Sequence, residues 1–217
     1  MGALVWVEGI IGAGKSTLTA ALADSLQLRG IYEPVETNPM LEKFYLDPKK
    51  YAFPMQLYLM AKRHAMQQLA AWEAAAGASI KGTNFKGAVV DRGLPGDRVF
   101  CKLHVQEGNI DPEMWEVYET FYEVMSLNLP TPSLLLFLDV EPEVAHERMT
   151  RRGRAAEAGV PLDYLKKLRR GYLDLLVEIE SGTHAWSRGM HVMRVPWNAD
   201  NQDPQPIVDA VRHHCRL

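Results

Sequence analysis

Residues 8–17 read EGIIGAGKST, directly after the apolar run of residues 3–7 and directly before Leu18, Leu22 and Leu26, which recur on one helical face. A strand, a glycine-rich turn and an amphipathic helix in that order constrain the fold more tightly than anything else in the chain. Gly9, Gly14, Lys15 and Ser16 satisfy the G-x-x-x-x-G-K-[S/T] pattern of a phosphate-binding loop. The amides of such a turn, here running through Gly12, Ala13, Gly14 and Thr17, meet phosphate oxygens at the positive end of the following helix. Lys15 has the reach for the outer phosphates, and Ser16 carries a hydroxyl suited to Mg²⁺. The donor is therefore a nucleoside triphosphate. The acceptor is left open among water, a protein side chain, a nucleotide and a small metabolite.

Further apolar runs are expected to form strands at Ala3–Val7, Ile31–Glu33, Ala88–Asp91, Ser133–Asp139 and His191–Val195. Helical patterns lie between them, which is the signature of an α/β fold with a five-stranded parallel sheet flanked by helices. The first helix is expected to stop at Gly30, and a long one to span Tyr51–Ala75. Another opens at Asp111 as cap with Pro112 in its first turn. On it Met114, Tyr118, Phe121 and Met125 form a stripe, which is core in the plainer reading and a subunit interface in the other. A further helix follows Pro161, with Leu162, Leu165, Leu168, Tyr172, Leu175 and Ile179 inward. The segment KGTNFKG is expected to be a loop. Residues 1–217 are read as one domain, without internal repeats.

Composition narrows the partners. A net charge of −3 offers no general attraction to nucleic acid or to an anionic membrane, so a small-molecule partner is expected. The two cysteines, Cys101 and Cys215, form no metal-binding or disulfide pattern and are expected to be free thiols in a reducing, cytoplasmic setting. No apolar run is long enough to cross a membrane, and the phosphate loop begins so early that no leader is expected ahead of it.

Phosphoryl transfer needs an acid near the metal, and Asp91 ends the strand AVVD where such an acid belongs, with Arg92 next to it. The alternative is an aspartate that caps the following turn. Arg148, Arg151, Arg152 and Arg154 cluster around Gly153. They read either as a solvated helical face or as a helix end and loop that fold guanidinium groups over the γ-phosphate as a lid. Glu33 precedes Pro34 at the end of a short strand. Its carboxylate is either an ordinary surface group or a proton acceptor facing the γ-phosphate.

Taken together, VEGIIGAGKST, EPV, FYLDP, FPMQLYLMAKR, DRGLPGDRVF and RRGRAAEAGVPLDYL resemble the deoxyribonucleoside kinases that act on deoxycytidine, deoxyguanosine and deoxyadenosine. The resemblance implies a P-loop kinase fold with an Arg-rich lid, ATP and Mg²⁺, and transfer to a deoxyribonucleoside 5′-hydroxyl in nucleotide salvage. It implies Glu33 as the base, with Arg92, Lys15, Arg152 and Arg154 assisting the chemistry. Ser16 and Asp91 would hold the metal, and Tyr45 and Glu157 the sugar 3′-hydroxyl. Gln56, Arg63 and Asp97 would read the base, in a pocket expected to favour deoxypurines or deoxycytidine over thymidine. Arg148, with Arg152 and Arg154, would form the lid, and Asp200, in the segment Trp197–Asp203, would lie near the donor adenine. A homodimer is implied as well. Two departures stand out: Ile10 where the family has Asn, and Gly93 where it has Ser. Rival readings are a nucleoside monophosphate kinase of the thymidylate kinase type and a non-catalytic nucleotide-binding protein.

Overall fold

A computed structural model describes residues 2–32, 38–76, 79–80, 83–154, 157 and 159–217. Five parallel strands form the main sheet: β1 (Ala3–Glu8), β2 (Arg29–Ile31), β5 (Gly87–Asp91), β6 (Leu134–Asp139) and β7 (Val192–Pro196), in the order β2-β5-β1-β6-β7. Every residue of β1 and β5 is buried, as expected of strands covered on both faces. The sheet order places β1 centrally, with β5 and β6 on opposite sides. The loop after β1 thus opens at the point where the winding direction reverses, the crevice in which such sheets bind ligands.

Helix α1 (Lys15–Leu26) buries Leu18, Leu22 and Leu26, each contributing about 1.5–3 kcal/mol. It stops earlier than expected. Gln27 takes the left-handed conformation, φ 56°, and donates its N–H to the Ala23 carbonyl, so Gly30 lies inside β2 rather than at the helix end. Strand β2 then pairs with β5 only over Arg29–Ile31 and ends two residues short of Glu33, which falls outside the described residues.

Helices α2 (Leu41–Leu46) and α3 (Pro48–Ala76) follow. The latter starts three residues ahead of the expected boundary because the Asp47 carboxylate accepts the Lys50 amide, capping the first turn, and it retains Pro54 inside. Strand β4 (Thr83–Asn84) lies within the segment expected to be a loop and pairs antiparallel with β3 (Ser79–Ile80), which precedes that segment. Helices α4 (Leu94–Gln106) and α5 (Pro112–Leu127) come next. Asp111 occupies the cap position of α5, although its side chain makes no capping bond. The expected stripe on α5 divides: Tyr118 is fully buried, whereas Met114 and Phe121 are exposed. The exposed apolar row is Met114, Val117, Phe121 and Val124, again at helical spacing.

Helix α6 (Pro142–Arg152) ends at Gly153, whose φ of 67° supplies the left-handed turn, so the arginine cluster does straddle a helix end. Helix α7 (Leu162–Glu180) buries Leu165, Leu168, Tyr172, Leu175 and Ile179 as the spacing predicts, while Leu162 at its first position is only half-buried, and α8 (Gln205–Cys215) follows β7. Both cysteines are free. Among the described residues no helix is long and apolar enough to cross a membrane.

Candidate active site

The phosphate loop turns sharply between β1 and α1, and Gly14 stands at the cap of α1 with φ 93°. A β-carbon at Gly12 would meet the Ala145 carbonyl oxygen at 2.3 Å, so the loop packs directly on the backbone of α6. Gly9, Ala13 and Thr17 complete the turn, with Ala13 fully buried. Lys15 folds back across the turn and donates to the Gly9 and Ile10 carbonyls at 3.1 and 2.9 Å. The Ser16 hydroxyl donates to the Asp91 carboxylate at 2.5 Å. Asp91 therefore faces the loop instead of serving only as a turn cap.

These groups open on a cleft of about 380 Å³. Lys15, Ser16, Asp91 and Arg92 line it together with Tyr32, Tyr45, Arg63 and Phe100 and with Arg152, Arg154 and Glu157. Tyr45 and Glu157 are neighbours: burial, reinforced by the Glu157 carboxylate, pushes the Tyr45 phenol above its ordinary range. Glu157 also pairs with Arg152 and, at 3.7 Å, with Arg154. The expected sugar-binding and lid residues thus form one charged cluster.

Arg63 forms a buried ion pair with Asp97, which is fully enclosed and accepts a second hydrogen bond from the Tyr118 hydroxyl at 2.8 Å. Two turns before Arg63 on the same face of α3, Gln56 is 1% exposed, and its Oε1 has no hydrogen-bond partner among the described residues. Neither Gln56 nor Asp97 lines the cleft, and Asp97 reaches it only through its ion pair with Arg63.

Arg148 points elsewhere. It donates to the Trp197 and Ala199 carbonyls at 2.9 and 2.8 Å and to Asp200 at 3.3 Å, and Arg151 reaches the same carboxylate at 2.9 Å. Both arginines fasten α6 to the segment after β7, whereas Arg152 and Arg154 face the cleft. That segment touches the phosphate loop, since a β-carbon at Gly14 would lie 3.1 Å from Trp197 Nε1. Asp200 belongs to that segment, bonds Arg148 and Arg151, and does not line the cleft.

One participant carries no role in the sequence reading. Glu8, completely buried at the end of β1, accepts the amides of Gly93 and Gly96 at 2.8 and 3.3 Å and the Tyr172 hydroxyl at 3.0 Å. Burial pushes its carboxyl above the ordinary range, while Arg92, the Gly93 amide, Lys15 and Tyr172 pull it back down. Tyr172 was legible only as a core residue. The site of Gly93 is crowded, for a β-carbon there would meet Gln67 Nε2 at 2.6 Å. Ile10 is simply buried at 1% exposure beside the loop.

The donor set suits Mg²⁺. A hydroxyl and a carboxylate oxygen lie together beside the phosphate loop, and no cluster of three His, Cys, Asp or Glu side chains fit for a metal occurs among the described residues. A cation held by one or two protein oxygens and the substrate phosphates is how Mg²⁺ is usually bound.

Comparison with known proteins bears on the family and the fold. A family model described as deoxynucleoside kinase matches residues 5–216. The deoxyadenosine kinase of Dictyostelium discoideum is 34% identical over 211 residues, which cover 97% of this chain and 78% of that protein. The deoxyadenosine/deoxycytidine kinase of Bacillus subtilis (strain 168) is 31% identical over 172 residues, covering 78% of this chain and 74% of its own length. Among solved structures, deoxyadenosine kinase from M. mycoides with bound dATP matches with a TM-score of 0.75 at 25% identity, over 98% of this chain and 99% of that one. With a phosphate loop and a facing strand-end acid on one parallel sheet, and with this match across nearly its whole length, the chain belongs to the deoxynucleoside kinase family.

Proposed function

We propose that this kinase moves the γ-phosphoryl group of ATP to the 5′-hydroxyl of a deoxyribonucleoside and favours a deoxypurine or deoxycytidine over thymidine. The observation that carries the reading is a cleft lined together by Lys15, Ser16, Asp91, Tyr45 and Arg63, with Arg63 paired to the buried Asp97 carboxylate. Family membership sets aside the monophosphate kinase and the non-catalytic reading.

The loop amides and the N-terminus of α1 bind the triphosphate, and Lys15 leaves the Gly9 and Ile10 carbonyls to meet its outer oxygens. Ser16 and Asp91 would hold Mg²⁺, which when bound would supply charge neutralisation at the phosphate oxygens. Tyr45 and Glu157 engage the 3′-hydroxyl and fix the sugar, and Glu33 accepts the 5′-hydroxyl proton while Arg92 steadies the hydroxyl and phosphate. Arg152 and Arg154 close over the transferring group, with Arg148 bracing the lid helix against the segment that contains Asp200. Exclusion of water keeps ATP from being hydrolysed. On the base side, Gln56 Oε1, without a hydrogen-bond partner among the described residues, is an acceptor suited to an exocyclic amine, which adenine and cytosine possess and thymine lacks.

ADP formation measured with Mg·ATP against deoxyadenosine, deoxyguanosine, deoxycytidine, thymidine and their 5′-monophosphates tests this reading. Turnover is expected with the first three nucleosides, and turnover with monophosphates alone would defeat it.

The exposed row Met114, Val117, Phe121 and Val124 on α5, beside exposed Leu69 and Trp72 on α3, supports a homodimer in which two helices from each subunit pack together. Sedimentation at micromolar concentration is expected to give twice the chain mass. A Phe121→Asp, Val124→Asp variant is expected to give the monomer mass, and a monomeric unmodified protein would exclude the arrangement.

A further inference from the structure

Glu8 satisfies two needs at once, and the two can be separated by experiment. The first is local. Helix α4 begins after Gly93, which has no side chain to cap it, so the first amides of α4 would be buried without partners. Glu8 Oε1 takes the Gly93 and Gly96 amides from across the sheet and caps the helix in trans.

The second concerns Arg92. Its backbone holds a φ of 69°, a conformation that L side chains rarely adopt, and its N–H donates to the Val7 carbonyl at 3.0 Å. Unusual backbone of this kind persists where the surroundings over-determine it, and it clusters at functional sites. Its guanidinium lies 4.8 Å from the Phe100 ring centroid, and Nη1 donates to the Tyr172 hydroxyl at 2.7 Å. The directions of these bonds follow from the groups. A guanidinium has only protons to give, so the Tyr172 oxygen accepts from Arg92 and its one proton goes to Glu8 Oε2, which accepts at 3.0 Å. The carboxylate therefore grips the turn twice, through the amides that follow Arg92 and, by way of Tyr172, through the Arg92 side chain.

Capping alone would need only Oε1. A tyrosine from α7, fully enclosed and placed between the carboxylate and a guanidinium that lines the cleft, is not required to cap α4. We infer that Tyr172 and Glu8 are positioning residues that fix the Arg92 guanidinium at the edge of the cleft in the orientation phosphoryl transfer uses. The inference rests on the proposed role of Arg92 at the transferring phosphate.

Tyr172→Phe is the informative variant, because the ring and its packing against Phe137 remain while both hydroxyl bonds vanish. Loss of a bond to a charged group that orients the reacting centre is expected to lower kcat roughly 10- to 100-fold with KM for ATP within about twofold. In an Arg92→Met background the same change is expected to lower kcat no further, since Tyr172 then has nothing to position. Glu8→Gln supplies a second variant, expected to show the same kcat loss. Independently of turnover, the Arg92 Nε–H signal in ¹⁵N NMR is expected to exchange slowly in the unmodified protein and rapidly in Tyr172→Phe. A slow Arg92 signal in the variant, an equal kcat loss in both Arg92 backgrounds, or failure of both variants to fold would overturn the positioning role. Absence of any nucleoside turnover by the unmodified enzyme would instead overturn the proposed function, with the NMR signal still deciding whether Tyr172 holds Arg92.

Discussion

Glu33→Gln is expected to lower kcat by about 10²–10⁴-fold, the range typical for removal of a general base. Glutamine keeps the shape of the side chain and can still hydrogen-bond a 5′-hydroxyl, but it cannot take up a proton. Affinity for Mg·ATP is expected to persist, because Lys15, Ser16 and the loop amides lie on β1 and α1, whereas Glu33 follows β2 in the chain. Steady-state kinetics with ATP and the preferred deoxynucleoside, together with nucleotide binding measured separately, checks both halves. A Glu33→Gln enzyme of near-normal turnover would dismiss the residue as the base.

The second large effect concerns the Arg63–Asp97 pair. Asp97 has no exposed surface, so Arg63→Met would strand its carboxylate with the Tyr118 hydroxyl as its remaining identified partner. Breaking a buried pair from one side typically costs about 3–5 kcal/mol, because the surviving charge is left without compensation. For a chain of this size that corresponds to a melting point lower by roughly 6–20 °C. The double variant Arg63→Met, Asp97→Ala removes both charges and is expected to recover much of that loss. It is also expected to gain thymidine turnover and to lose about 10- to 100-fold of its preference for a deoxypurine or deoxycytidine, the effect of deleting polar groups that must be paired. The ratio of kcat/KM for thymidine and deoxyadenosine measures the second effect and thermal unfolding the first. A double variant less stable than Arg63→Met, or an unmodified enzyme that already prefers thymidine, would show that the pair has another purpose.

Local pattern decided much of the fold. The strands β1, β5 and β6 are buried on both faces and are nearly continuous apolar runs, so they announce themselves in the sequence to within one residue. The phosphate loop and Asp91 are legible for the same reason, since their chemistry depends on residue types at short fixed spacing or at a strand end. Even the helix end at Gly153 follows from one residue that favours a positive φ.

Tertiary packing decided the rest. Gln27, an ordinary residue, ends α1 in a left-handed turn ahead of the more conspicuous Gly30. On α5, Tyr118 and Phe121 carry the same apolar signal, yet Tyr118 is fully buried and donates to the Asp97 carboxylate of α4, whereas Phe121 is exposed. Arg148 and Arg152 stand four residues apart in one cluster, and the position of the segment after β7 alone turns the first away from the cleft. Glu8 is the extreme case: its partners Gly93 and Tyr172 lie 85 and 164 residues away. Periodicity and spacing report on neighbours within a turn or two of chain, whereas a buried carboxylate is defined by the donors that three separate elements bring to it.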